Sequence, residues 1–341
     1  AVEKNTRVKA RVKAHALKEF MNTKEKVVVM GHRLPDADSF GAAIGIYRAA
    51  KTLNKKAYIV IDNPTSSIIP LMNTFRDNQD YEADMFVNNH EAKEIMDDNT
   101  LLVVVDTNKP SITQCEDLLY MAKMIVVLDH HRQGSDTIRN SVLSYIEPYA
   151  SSASEMVAEI LQYFTEGIRI RNVEADSIYA GIMIDTDNFM QKTGVRTFEA
   201  AAFLRRCGAD VTRVRKLFRE DMNDYKARGE TIRNAELFRG QFAISECPSD
   251  YVDSPTVVGA QAANELLNIV GVKASFVLTE YKGVIYISAR AIDEVNVQII
   301  MERMGGGGHL NIAGAQVKDT MDETERMLKE IIDQLYQEGD K

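Results

Sequence analysis

Four short apolar, mostly β-branched runs constrain the fold of this 341-residue chain more than any other feature: "KVVVM" (26–30), "YIVI" (58–61), "LLVVV" (101–105) and "MIVVL" (124–128). Each is too short for a helix and apolar on both sides of its pleat, the pattern of a strand covered on both faces. Helical patterns follow some of them, "SFGAAIGIYRAAK" (39–51) with Ser39 as candidate N-cap and "ASEMVAEILQYF" (153–164). This alternation predicts an α/β fold, a mostly parallel sheet flanked by helices. The stretch "ADSIYAGIMIDTDNF" (175–189) fits helix or strand, and helix is preferred.

Residues 1–23 read as a basic helical lead-in and 24–190 as the sheet domain, with 191–238 a charged helical linker. Residues 239–341 read as a smaller mixed α/β domain. It contains "QFAISEC", an apolar helix around "GAQAANELLNIV", a hairpin turning at Lys282-Gly283, and the unusual "GGGGHLNIAGAQV".

A net charge of −9 argues against gripping long nucleic acid, which needs a dense basic face. A small anion is still a suitable ligand, because a metal or a few local cations outweigh a diffuse negative surface. The longest apolar runs fall far short of the roughly 20 residues of a membrane span. The three scattered cysteines, Cys115, Cys207 and Cys247, fit a reducing cytoplasm.

The chemistry gathers where strands end. The first run leads into "GHRLPDADS" with His32, Asp36 and Asp38, the third into Asp106, and the fourth into Asp129-His130-His131. Ligands of an open parallel sheet bind beyond the carboxyl ends of its strands. Asp185, an acid in an apolar segment, needs a cation or a helix-terminal hydrogen bond. Each motif alone has a plainer reading, Pro35 and Asp36 shaping a turn and Asp38 capping a helix. Yet four of the six histidines, His32, His130, His131 and His309, fall in these motifs. Carboxylates with imidazoles and no thiolate suit Mn²⁺ or Mg²⁺ better than structural zinc. The surplus of acids suggests two ions, which in phosphoryl-transfer enzymes sit roughly 3.5–4 Å apart.

Gly305, Gly306, Gly307 and Gly308 form either a flexible loop or a nest of backbone N–H groups for an anion. Arg290 ends a strand and offers a bidentate guanidinium to phosphate, or is a surface charge. His15 and His90 match no motif and read as surface residues, and Arg33 and Arg132 as loop charges able to steer phosphate.

In order and spacing, "GHRLPDADS", Asp106, "DHH" and "GIMIDTDNF" resemble the DHH phosphoesterase superfamily, and "GGGGHLNIAGAQ" resembles its DHHA1 domain. The resemblance covers about residues 24 to 337 and is greatest to bacterial cyclic-di-AMP phosphodiesterases. It implies a two-metal phosphodiesterase, most often with Mn²⁺, in which a hydroxide bridging the ions opens cyclic-di-AMP to linear 5′-pApA. His32, Asp36 and Asp106 would hold one ion, and Asp38, Asp106, His130 and Asp185 the other. His131 and Asp106 would be the catalytic residues, Asp129 would support a neighbouring imidazole, and Ser288, Arg290, the four glycines and His309 would bind substrate. It further implies a homodimer, and upstream membrane, PAS and degenerate GGDEF domains that anchor an otherwise soluble, cytoplasmic fragment. A DHH nuclease acting on pApA or short linear oligonucleotides shares the same ligands and is the alternative.

Overall fold

The computed structural model describes residues 2–292 and 295–337; residues 1, 293–294 and 338–341 of the expected segments lie outside the described residues. The described chain divides into two compact units between Arg219 and Glu220.

The first unit runs α1 (Val2–Asn22), β1 (Lys26–Met30), α2 (Ala37–Thr52), β2 (Lys56–Val60), α3 (Ile69–Arg76), β3 (Phe86–Val87), α4 (Asn89–Ile95) and β4 (Thr100–Val105). It continues through α5 (Asp117–Met121), β5 (Met124–Asp129), β6 (Leu143–Ile146), α6 (Ala153–Phe164), α7 (Asn172–Asp185), α8 (Val195–Arg206) and α9 (Val211–Leu217). The strands form one parallel sheet in the order β3-β2-β1-β4-β5-β6. Alternation sends Val27 and Val29 into the core beneath α1, α2, α6 and α7, and Val28 and Met30 into the core beneath α4 and α5. Burial on both faces explains the continuous apolar runs. Strand order reverses between β1 and β4, which opens a crevice at their carboxyl ends.

The ambiguous stretch around residue 180 is helical, as α7. Helix α2 starts at Ala37, and its N-cap is Asp36, not Ser39: the Asp36 carboxylate accepts from Ser39 N at 2.9 Å. Helix α1 buries Ala10, Ala14, Leu17 and Met21, a stripe at helical spacing, and packs on α6. The charged stretch 191–238 is divided between the units. Helices α8 and α9 pack on α6 and α7 through Ala200, Leu204 and Val214, and Arg213 of α9 donates to the buried Asp176 of α7 at 3.0 Å.

The second unit runs α10 (Met222–Arg233), β7 (Glu236–Phe238), β8 (Phe242–Cys247), α11 (Pro255–Leu266), β9 (Ala274–Tyr281), β10 (Val284–Ala291), α12 (Val297–Arg303), β11 (Gly307–Gly308), β12 (Ile312–Val317) and α13 (Met321–Gln337). Its mixed sheet has the order β11-β12-β10-β9-β8-β7, with only β8 and β9 pairing in parallel. Positive φ at both Lys282 and Gly283 makes the tight hairpin turn between β9 and β10. Among the described residues no helix is long and apolar enough to cross a membrane.

Helices α2 and α7 cross unusually closely because glycines lie at the contact. A Cβ at Gly41 would sit 2.5 Å from the Ser177 carbonyl oxygen, and one at Gly181 would sit 3.0 Å from that of Ala37. Gly41→Ala is therefore expected to lower stability by about 1–3 kcal/mol, since backbone cannot yield as a side chain can. Gly229→Ala in α10, with nothing within 4 Å of the added carbon, should instead gain up to about 1 kcal/mol of helix propensity. Urea midpoints at constant m-value measure both.

Candidate functional site

The β1/β4 crevice is built from three strand ends and two helix ends. The turn after β1 is clamped by the segment after β4: Arg33 N donates to Ile112 O at 2.7 Å and Gln114 N to Gly31 O at 2.8 Å. This clamp presents His32, whose Nε2 lies 3.2 Å from Asp106 Oδ2 and 3.5 Å from Asp36 Oδ2. Asp106 follows β4 in the left-handed region, φ 59°, with its amide donating to Leu128 O at 2.9 Å. Aspartate tolerates that conformation better than most residues, and such local strain concentrates at functional sites.

Asp38 is buried in the first turn of α2, where its two oxygens accept from Ala153 N and Ser154 N, both at 2.7 Å, at the N-terminus of α6. His130 stands at the centre. Its Nε2 lies 3.3 Å from Asp106 Oδ1, 3.6 Å from Asp185 Oδ2 and 3.7 Å from Asp38 Oδ2. Asp185 is the last residue of α7.

Three sets of side chains, each with donor atoms within 4.8 Å of one another, could hold a cation: His32, Asp36 and Asp106; Asp38, His130 and Asp185; and Asp106, His130 and His131. All six residues read from the sequence as ligands fall in these sets, and Asp106 and His130 each belong to two.

Asp129 has a different setting. It is fully buried, and its Oδ1 pairs with His131 Nδ1 at 2.8 Å and with the His131 amide at 3.1 Å. Its Oδ2 accepts from Asn108 Nδ2 at 2.5 Å. A carboxylate only accepts, so the His131 pairing places the ring hydrogen on Nδ1 and leaves Nε2 free to act. Sequence reasoning passed over Asn108, although it follows Asp106 by two residues; its partner lies 21 residues away, beyond any local pattern.

Charge is concentrated here. Burial, then the charges of Asp106 and Asp185, hold the Asp38 carboxyl well above the usual carboxylate range. Burial and the Asp106 charge push Asp185 up to about 6. Burial alone would lower His32, but its bonds to Asp106 and Asp36 outweigh that and raise it to about 10. Contact with Asp106 and the charges of Asp38 and Asp185 likewise raise His130 to about 9 against burial. Asp106 Oδ1, buried and close to His130, makes no hydrogen bond. A buried carboxylate oxygen without a partner, among carboxylates and imidazoles with no thiolate, fits a divalent cation.

In the second unit a cavity of about 510 Å³ is lined by Tyr286 and Ser288 of β10, Thr256, Gly305, Gly306 and Gln316. Arg290 is turned to α11, where its Nε donates to Asn264 Oδ1 at 2.9 Å, and His309 is exposed with its amide donating to Ile312 O at 2.7 Å. Two of the four glycines have a steric role besides any ligand. A Cβ at Gly306 would meet Gly314 O at 2.1 Å, and one at Gly308 would meet Ile312 O at 2.6 Å.

A group whose folded pKa is raised stabilises fully below its unfolded value and loses that contribution as pH rises through the folded one. Asp185, His130 and His32, raised to about 6, 9 and 10, therefore make the metal-free chain less stable as pH climbs toward 10. Cation binding needs these groups deprotonated, so it releases protons. The expected result is a larger rise in Tm with Mn²⁺ at about pH 8.5 than at about pH 6. Calorimetry in buffers of different ionisation enthalpy reads the proton release directly.

Comparison with known proteins identifies the domains that carry this site. Residues 26–182 match the DHH family, N-terminal domain, and residues 242–337 match the DHHA1 domain. The chain is 42% identical over 342 residues to cyclic-di-AMP phosphodiesterase GdpP of Geobacillus thermodenitrificans, covering 99% of this chain and 52% of that protein. It is 43% identical over 345 residues to GdpP of Bacillus subtilis, with the same coverage. The chain thus spans about half the length of these relatives. An exopolyphosphatase-related protein from Bacteroides fragilis shares the fold at a TM-score of 0.77 and 20% identity, covering 95% of this chain and 96% of that one. With a DHH domain carrying the acid and histidine cluster and a DHHA1 domain after it, the chain belongs to the DHH/DHHA1 family.

Proposed function

We propose that this chain is a metal-dependent phosphodiesterase that hydrolyses cyclic-di-AMP to linear 5′-pApA. The observation that carries the reading is Asp106: its buried, unbonded oxygen lies where two sets of potential ligands share one carboxylate. The activity assigned to relatives 42% and 43% identical supports the substrate.

In this reading His32, Asp36 and Asp106 hold one divalent ion, Asp38, Asp106, His130 and Asp185 hold a second, and Mn²⁺ is the preferred ion. Bound there, the ions supply Lewis-acid charge for the phosphoryl oxygens and lower the pKa of the attacking water. Water adds to one phosphorus in line with the 3′ oxygen, which leaves, and the ring opens to a linear dinucleotide with a 5′-phosphate. The backbone amides of α6 hold the Asp38 side chain in fixed orientation. Asp129 and Asn108 hold His131 so that its half-exposed ring reaches a phosphoryl oxygen through Nε2. Ser288, Arg290, Gly305 to Gly308 and His309 are the substrate-binding residues of the second unit.

The test is incubation with cyclic-di-AMP and Mn²⁺, an EDTA control, and pApA as parallel substrate. Metal-dependent accumulation of pApA is expected. Intact cyclic-di-AMP with conversion of pApA to AMP would instead support the linear-dinucleotide nuclease. Asp106→Ala should reduce turnover by at least about a thousandfold while circular dichroism stays unchanged, because it removes the shared ligand from both ion sites. Retained Mn²⁺-dependent turnover in that variant sinks the bridging role.

A further inference from the structure

The chain segment leaving β6 carries a large exposed ring, Tyr149, at the carboxyl edge of the first sheet, the edge on which the cluster of acids and histidines is built. Tyr149 is 87% exposed, so its ring face is open to stacking. Its backbone, by contrast, is tightly held. Residues Glu147 to Ala150 form a turn closed by Ala150 N donating to Glu147 O at 2.9 Å, with Pro148 in the second position where its fixed φ favours the turn.

Both ends of that turn are tied to the cluster. Upstream, Glu147 N donates to the carbonyl of Asp129 at 3.0 Å, immediately before His130. Downstream, Ser151 bonds the buried Glu155, Ser152 caps α6 by accepting from Glu155 N at 3.0 Å, and the next two amides bind Asp38. Tyr149 is four residues from Ala153, a span of at most about 14 Å even if fully extended. A rigid turn, anchored twice to metal-site residues, thus presents an exposed aromatic face at the same edge of the sheet.

We propose that Tyr149 is a stacking platform for a nucleobase of the phosphodiester bound at the cluster. This rests on the reading of the cluster as a phosphodiesterase centre and adds which part of a substrate it grips besides phosphate. A base has an apolar face of matching size, stacking needs no directional partner, and every base offers a π-face. Pre-ordering by Pro148 and the two tethers keeps the entropy lost on binding small. The ring, not the hydroxyl, is the contact, so the residue supplies affinity for nucleotides over bare phosphodiesters and leaves discrimination between purines to other groups.

The chain contains no tryptophan, so Tyr149→Trp introduces a single fluorescent reporter at the site. Saturable quenching by AMP in the presence of Mn²⁺, with none by ribose 5-phosphate, is the expected result. Tyr149→Ala should raise KM for cyclic-di-AMP roughly tenfold to a hundredfold with the loss falling on KM and not on kcat, and Tyr149→Phe should restore it. Absence of AMP quenching together with an unchanged KM in Tyr149→Ala overturns the platform while leaving the hydrolytic activity standing. If wild-type protein does not open cyclic-di-AMP, the AMP titration still decides the role of the ring. Loss of a dimer in light scattering of Tyr149→Ala, with KM unchanged, would make the ring a subunit contact and also overturn the proposal.

Discussion

Everything at the carboxyl edge of the first sheet is arranged around mutual repulsion among carboxylates. Asp38 and Asp106 are buried and Asp185 is mostly so, and all three lie within 3.7 Å of one imidazole nitrogen. His130 and His32 are two imidazoles against four carboxylates, Asp36, Asp38, Asp106 and Asp185, so the arrangement stays short of positive charge until more arrives. Protons are one source, which is why Asp38 and Asp185 hold theirs unusually strongly. Divalent cations are the other. The site is a place where the fold pays in stability for a binding capacity.

The surrounding elements divide that repulsion unequally. Asp38 accepts two amides from the start of α6, where the helix dipole favours an anion. Asp185 ends α7, where the dipole opposes one. The two acids therefore differ in anchoring, Asp38 buried and fixed by two amides and Asp185 more exposed and more dependent on a counter-ion, although burial and neighbouring acids raise both. Asp129, saturated by Asn108 and His131, takes no part in that competition and serves to orient a ring.

How much of this the sequence disclosed follows from the range of the interactions involved. Strands β1, β2, β4 and β5 were readable because burial on both faces makes them continuous apolar runs. Strands β3 and β6 were not: Phe86–Val87 is two residues long, and Leu143–Ile146 alternates in burial at the sheet edge. The acids and histidines were noticeable because strand ends repeat the pattern. Asn108 and the α6 amides were invisible, since each meets its partner only across 21 or more than 100 residues. The helix cap fell to Asp36 instead of Ser39 because the hydrogen bond geometry, not residue type, chooses between neighbouring candidates. The glycine run illustrates a third kind of gap. Composition signals a close approach there, but only the fold reveals that β12 is one of the things approaching Gly306 and Gly308.

The glycine-lined crossing of α2 and α7 acts as a calliper. Asp38 is on the first turn of one helix and Asp185 is at the last position of the other. The thickness of the contact at Gly41 and Gly181 therefore sets the gap between two carboxylates that converge on the same imidazole. Ion radius and preferred bond length differ between divalent metals by tenths of an ångström. A methyl group inserted at the crossing would change that gap without altering any ligand. The spacing of these candidate ligands is thus partly written in helix packing, at residues outside the cluster.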